Sequence, residues 1–316
     1  LDWLPKNEQT IEKIVYEKTS ALLNSNIIND LFYIDEKLYD EKITISNQIL
    51  AATQNGLSLI NPTNNEIRNY SELKNTTIYN TFLVDDDILI HTENGIFLID
   101  KINEESISLI KIVSSKGVSK IRKITDNEFV LYSSSNSFQR IIKNKEEYIN
   151  YSLSIPTSNT INDIRNYKGA YYIATESGIN KVTEKLNSLS KKNKNLLLNE
   201  KIISVQENDY YRVLLTNFRL LLYEEDELSI SYYLNKLIGE NEIENASIYL
   251  EEDEYLYLGT NKLFILDLYT DEILTFKHSK EGLNSIMEGD INNLSLFINE
   301  DLNKELWISL NNGISI

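Results

Sequence analysis

Groups that could do chemistry are thinly placed in this chain of 316 residues. It has no cysteine, which removes disulfides, thiolate metal sites and thiol nucleophiles together. The two histidines sit in unlike contexts: His91 lies inside an apolar strand-like run, and His278 lies beside a polar insertion. A histidine metal cluster or a nucleophile–His–acid arrangement therefore has no basis, and His91 reads as a packed strand residue. Carboxylates gather in "VDDDI" (84–88), "EEDE" (251–254) and "NEDLNKE" (299–305). Paired carboxylates can do acid–base work, but these groups recur at one place in a repeated hairpin, which marks a solvated turn. The spacing from Asp301 to Glu305 matches no calcium loop, and no phosphate-binding glycine loop occurs. The expectation is a protein that is not an enzyme, with no catalytic residues, no metal and no cofactor.

The elements that would position any site come from a repeat. "AATQNG", "IHTENG", "LYSSSN", "IATESG", "LLTNFR", "LGTNKL" and "ISLNNG" align on Thr53, Thr92, Ser133, Thr175, Thr216, Thr260 and Leu310, at intervals of 39, 41, 42, 41, 44 and 50 residues. Such a period is what four short strands and their turns consume, and it predicts an all-β fold: a seven-bladed β-propeller of four-stranded blades. In each unit a mixed strand such as "NIINDLFYI" or "TINDIRNY" is the innermost, A. A nearly unbroken apolar run such as "ILAAT" or "YYIAT" is B, covered on both faces by neighbouring blades. Asn-Gly or Ser-Gly then makes the turn into C, and polar segments such as "EIRNY" and "EYINYSL" form the outer strand D. The stretch "TEKLNSLSKKNKNLLLNE" reads as a loop or short helix with only a poor fourth strand.

The last unit ends on strand C, while "TIEKIVYEKTS" near the start resembles an outer strand. Residues 10–17 are therefore expected to complete the seventh blade and close the ring, making 1–316 a single propeller domain. Helix spacing of Ile11, Ile14 and Val15 is the competing local reading. A formal charge of −17 without a long basic run argues against nucleic acid. No stretch approaches the roughly 20 apolar residues of a membrane helix, so no membrane-spanning segment is expected.

In a propeller the B–C turns and D–A connections share one face. Its B–C side chains would be Gln54, Asn55, Glu93, Asn94, Glu176, Asn217, Phe218, Arg219, Asn261, Lys262, Asn311 and Asn312. That amide-rich set suits a neutral polyhydroxylated ligand; equally, Asn is common in turns because it tolerates positive φ. Phe218 and Arg219 stand out because they replace the Asn-Gly of other units. The anchor threonines read as structural, with hydroxyls able to bond neighbouring backbone, and Trp307 reads as packing between blades.

The segment "GLNSIMEGDINNLSLFINEDLNKELWISLNNGISI" (282–316) resembles the two-component-regulator propeller repeat. That consensus runs from Gly-Leu-x-Ser/Asn-x-Ile through an acidic turn to Leu-Trp-Ile-Gly-Thr-x-x-Gly-Leu. "EYLYLGTNKLFIL" and "AYYIATESGINKV" are similar to the same core with Tyr near the Trp position. The resemblance implies a non-catalytic extracytoplasmic sensor domain, periplasmic or at the cell surface, of a bacterial transmembrane signalling protein. Its implied partner is a small molecule, a glycan or peptide, bound on the loop face. A protein-interaction or homodimerisation scaffold is the alternative, followed by a propeller lyase or hydrolase. The chain holds one ring where that family pairs two and adds a β-sandwich, which leaves the downstream effector, histidine kinase, diguanylate cyclase or other, unassigned.

Overall fold

The computed structural model describes residues 13–14, 23–25, 27–38, 41–64, 66–114, 120–132, 137–145, 147–154, 160–167, 170–185, 188–189, 194–195, 200–208, 210–224, 227–239, 243–244, 246–251, 255–279, 285–298 and 304–316. It is an all-β protein of seven antiparallel sheets arranged as a β-propeller. Strand β1 is Lys13–Ile14. The first blade is β2 (Ile28–Ile34), β3 (Gln48–Thr53), β4 (Gly56–Asn61) and β5 (Glu66–Asn69), and the second β6 (Ile78–Val84), β7 (Asp87–Thr92), β8 (Gly95–Ile102) and β9 (Ile107–Val113). The third is β10 (Lys120–Thr125), β11 (Glu128–Tyr132), β12 (Ser137–Asn144) and β13 (Glu147–Ser154). The fourth is β14 (Ile161–Tyr167), β15 (Ala170–Thr175) and β16 (Gly178–Lys185), against which two short strands, β17 (Ser188–Leu189) and β18 (Lys194–Asn195), both pair. Where a loop or short helix was expected, the described residues of this stretch form two short strand fragments instead, because their backbone groups find partners along β16. The fifth blade is β19 (Ile202–Glu207), β20 (Tyr211–Thr216), β21 (Arg219–Glu224) and β22 (Glu227–Tyr233), followed by one helical turn, Leu234–Leu237. The sixth is β23 (Ser247–Leu250), β24 (Tyr255–Gly259), β25 (Leu263–Asp267) and β26 (Ile273–Phe276). The last is β27 (Ile291–Ile298), β28 (Lys304–Leu310) and β29 (Gly313–Ser315), completed by β1 through Lys13↔Ser315 and Ile14↔Ile314. At Lys13–Ile14 the N-terminal segment is a strand, not a helix, and completes the last sheet; the rest of 10–17, like the anchor Ser133, lies outside the described residues.

The chain divides into two compact units, one of residues 1–116, 258–264 and 274–316, the other of 117–257 and 265–273. Within each, the apolar B strands explain the core. In the first unit Leu50 and Ala52 of β3 join Ile78, Ile88 and Ile90 of the second blade. Their neighbours Ile49 and Ala51 point the other way, into a cluster with Ile28, Leu31, Trp307 and Ile314. In the second unit Tyr171 and Ile173 of β15 pack on Val130 and Tyr132, while Tyr172 and Ala174 pack on Ile202, Val205 and Leu214. Side chains alternate at a period of 2, so a strand sandwiched between blades must be apolar at every position. Trp307 is fully buried, with its Nε1 donating to Glu305 at 3.0 Å.

The inner strands carry a second pattern. In β2, β6, β14, β19 and β27 the register slips by one residue directly after the first isoleucine (Ile28, Ile78, Ile161, Ile202, Ile291), a β-bulge in each case. In three of these strands the extra residue is asparagine, and its amide donates to the first carbonyl of the next inner strand. Asn29 reaches Ile78 O at 2.7 Å, Asn162 reaches Ile202 O at 2.8 Å and Asn292 reaches Ile28 O at 2.7 Å. The following Asp takes a backbone amide of that strand: Asp30 from Thr81 N at 2.8 Å, Asp163 from Val205 N at 2.9 Å. Two residues later comes a further donor: Arg165 Nε to Val205 O at 2.9 Å and Ser295 Oγ to Leu31 O at 3.3 Å. The inner edge of a blade would otherwise present unpaired peptide groups, and the preceding blade covers them with side chains. Replacing Asn162 with alanine leaves the buried Ile202 carbonyl unsatisfied. The variant should lose about 1–3 kcal/mol of stability, read as a lower urea midpoint with an unchanged slope.

Candidate functional site

The B–C turns differ from the expected Asn-Gly geometry by one position. Thr53 pairs with Gly56 and Thr92 with Gly95, so the turn residues are Gln54-Asn55 and Glu93-Asn94, and the glycine opens strand C at φ +137° and +131°. The asparagines themselves keep negative φ. The anchor threonine is what makes the turn. Thr53 Oγ1 accepts from Asn55 N at 3.1 Å and donates to Gly56 O at 2.8 Å, and Thr92 and Thr175 repeat the clasp. In the fifth blade no glycine is present, and Thr216 Oγ1 instead accepts from both Phe218 N and Arg219 N, at 3.1 and 3.0 Å. The threonine hydroxyls are thus occupied by their own turns.

The twelve expected ligand-facing residues fall into three neighbourhoods. In the first unit Gln54, Asn55, Glu93 and Asn94 are exposed; Thr77 joins two of their turns by donating to Gln54 O at 3.1 Å and accepting from Glu93 N at 3.0 Å. Also in that unit, the turn that carries Asn261 and Lys262 and the turn that carries Asn311 and Asn312 both bond the segment at 290–291, through Thr260 and Asn311. Ile291 N donates to Thr260 O at 2.7 Å, and Asn311 Nδ2 to Asp290 at 3.3 Å. The second unit holds Glu176, Asn217, Phe218 and Arg219. Lys201 lies 3.8 Å from Glu176 and accepts from Asn217 N at 3.0 Å through its carbonyl. Arg219 grips Glu200 with two nitrogens, Nε at 3.1 Å and a second through Nη2. Arg219 is therefore an internal ion pair, not a free cation, and Asn217 is buried. Phe218 is 43% exposed and Tyr233, at the end of β22, is 54% exposed. These two apolar rings face water, as a stacking surface would.

The sequence reading missed the inner strands of the second unit as a site, because their charges are scattered along the chain: Lys120 and Arg122 on β10, Asp163 and Arg165 on β14, Glu207 on β19. Asp163 is fully buried and saturated. Its Oδ1 accepts from Arg122 Nε at 2.7 Å, Tyr132 OH at 3.1 Å and Ile164 N at 2.9 Å; its Oδ2 from Ser204 Oγ at 3.1 Å and Val205 N at 2.9 Å. Burial by itself would raise its pKa, but the charges of Arg122 and Arg165 and these hydrogen bonds outweigh it and hold the carboxyl well below its usual range. Glu207 goes the other way. Burial pushes it up to about 7 against the pull of Arg165 and Arg212, and its Oε2 is buried without a hydrogen-bond partner. Arg212 is buried over the Tyr172 ring at 4.1 Å. His91, as expected, is a wholly buried strand residue. Among the described residues no group of His, Cys, Asp and Glu is placed to hold a metal, and no helix is long and apolar enough to cross a membrane.

No family model matches the chain, and no curated protein does. Among solved structures it is similar to the extracellular domain assigned to a hybrid two component system, BT4673, from B. thetaiotaomicron, with a TM-score of 0.69 and 16% identity over 98% of this chain and 39% of that one. A second structure, of the same extracellular domain described as belonging to a one component system, gives a TM-score of 0.69 and 17% identity over 98% and 40%. The chain thus spans about two fifths of the length of these solved chains, and the likeness is one of fold.

Proposed function

We propose that this chain is a non-catalytic sensor propeller, the extracytoplasmic part of a bacterial transmembrane signalling protein, which binds a small glycan or peptide on its B–C loop face. The observation that carries the reading is the fold match across 98% of the chain to extracellular domains assigned to two-component or one-component signalling systems. The exposed Phe218 and Tyr233 beside the Glu176–Lys201 and Arg219–Glu200 pairs support a loop-face ligand, because they combine stacking area with polar groups held in place. The absence of catalysis fits the B–C turns, whose ionisable groups are spread over separate turns or already paired. The whole stretch 1–316 acting as one sensing domain is part of the same proposal.

Calorimetric titration of the purified chain against neutral oligosaccharides and short peptides tests it. A ligand should bind, and Phe218→Ala should weaken it about fivefold, the loss of one aromatic contact worth about 1 kcal/mol. Binding that survives the substitution unchanged would remove the loop face from the reading. Sedimentation velocity on the same samples checks the scaffold alternative, favoured by exposed Ile110, Tyr151 and Leu228 on outer strands. Self-association without any ligand would turn the assignment in that direction.

A further inference from the structure

The arginine at position 165 does more than the fold asks of it. The donor role it fills, capping a carbonyl of the next inner strand, is filled four residues after the corresponding isoleucine in two other blades by much smaller groups. Gln206 Nε2 caps Ile248 O at 2.9 Å and Ser295 Oγ caps Leu31 O at 3.3 Å. Arg165 uses only its Nε for this, at 2.9 Å to Val205 O, and among the described residues no carboxylate lies within ion-pair distance of it. Its neighbouring carboxylate, Asp163, is consumed by five other donors. The nearby cations add to the imbalance: Arg122 is spent on Asp163, and the Lys120 ammonium donates to Asn162 O at 2.8 Å, a neutral acceptor. Asp163 and Glu207 act on this guanidinium only through space, and its two outer nitrogens, which are not sealed from solvent, offer a planar fork of the geometry that takes a carboxylate bidentately. Beside it stands Glu207, whose Oε2 lacks a partner.

We propose that the inner strands β10, β14 and β19 hold a site for a small carboxylate-bearing ligand, whose carboxylate is taken bidentately by the free fork of Arg165. The cationic rim of Lys120 and Arg122 draws the anion in, although the chain as a whole carries a formal charge of −17. Glu207 is the second contact, offering its unpartnered oxygen to a hydroxyl or amine of the same ligand. The proposal rests on the sensor reading but moves the charged part of recognition from the loop face to the inner strands, and from neutral to acidic ligands.

The test is calorimetric titration of the full chain with acetate, D-glucuronate and D-galacturonate, each uronate paired with its neutral twin, D-glucose or D-galactose. At least one uronate should bind, its neutral twin more than tenfold more weakly, and affinity should fall as salt is raised. Arg165→Gln keeps the cap on Val205 O, as Gln206 does on its own acceptor, so it should still fold, with a urea midpoint lowered only by the loss of its charge near Asp163, while losing tenfold or more in uronate affinity. Arg165→Lys, charged but without the fork, should lose part of it. Raising pH from 6 to 8 ionises Glu207, which faces Arg165 and Asp163 of β14 and Arg212 of β20, and supplies an internal rival for the fork. Uronate binding should weaken over that range in the parent chain and not in Glu207→Gln. Equal affinity for the neutral twins, no binding by any carboxylate, or affinity that survives Arg165→Gln would each overturn the site. A neutral ligand that binds in a Phe218-dependent manner would leave the sensor reading standing while this site falls.

Discussion

Asp163→Ala is expected to lower the stability of the second unit by about 3–5 kcal/mol, the range seen when one partner of a buried charge pair is removed. The substitution does not merely delete five hydrogen bonds. It removes the carboxylate that Arg122 Nε donates to, and it strands the Val205 amide at the edge that the carboxylate covers. Asp163→Asn separates the two effects, since it keeps the shape and one acceptor oxygen but not the charge, and should fall between alanine and the parent chain. Urea unfolding followed by far-UV circular dichroism reads both. A loss under 1 kcal/mol for the alanine variant would show that the inner-strand edges are satisfied in some other way. Because the folded pKa of Asp163 lies below its ordinary 3.8, its contribution is fully present above that value and is lost only as pH falls beneath it.

A second large effect lies at higher pH and in the other unit. His91 is fully buried in β7, its ring 5.1 Å from that of Tyr79, and neither ring nitrogen has a hydrogen-bond partner. Burial lowers its pKa from 6.5 to about 4. Between those values the unfolded chain binds a proton that the folded chain refuses, so stability rises with pH across the window and is lost as pH falls from 6.5 towards 4. The size is about 3 kcal/mol, from roughly 1.4 kcal/mol per pKa unit. His91→Phe keeps an aromatic ring against Tyr79 and has nothing to protonate. Its stability should match or exceed that of the parent chain at pH 7, and the difference between the two should widen steadily down to pH 4.5. Parallel pH profiles for the two proteins would mean that His91 charges without penalty and is not dry.

What could be read from the chain, and what could not, follows from how far apart the interacting residues lie. The blades were legible because their signals are local. "YYIAT" is apolar at every position since both faces of β15 are covered, and a glycine after a polar pair marks the hairpin. The clasp made by Thr53 and Thr92 was half legible. The hydroxyl was expected to bond backbone, but the turn was placed on Asn-Gly when the residues inside it are Gln54-Asn55 and Glu93-Asn94. Positive φ belongs to the glycine beyond the turn, which no spacing argument distinguishes. The inner strands were read only as mixed polar and apolar. Their polar residues serve a neighbour about 40 residues away, as Asn162 serves Ile202, so no period within the strand encodes the role. One signal was present: Ile-Asn-Asp at 28–30 and 161–163 and Ile-Asn-Asn at 291–293 recur in step with the blades. Arg219 shows the limit for single side chains. Its place beside the B–C turn was legible, while its capture by Glu200, which turns it inward, depends on the segment before β19.

The pairing of Lys13–Ile14 with Ile314–Ser315 has a consequence for biogenesis. The seam joins residues about 300 positions apart, the costliest kind of loop to close entropically, and it cannot form until Ser315 has been synthesised and has left the ribosome. Throughout translation of the intervening blades, the amino-terminal strand must wait unpaired while six sheets accumulate. A chaperone, or simply a slow-forming final hairpin at β28 and β29, would then set the pace at which the protein matures.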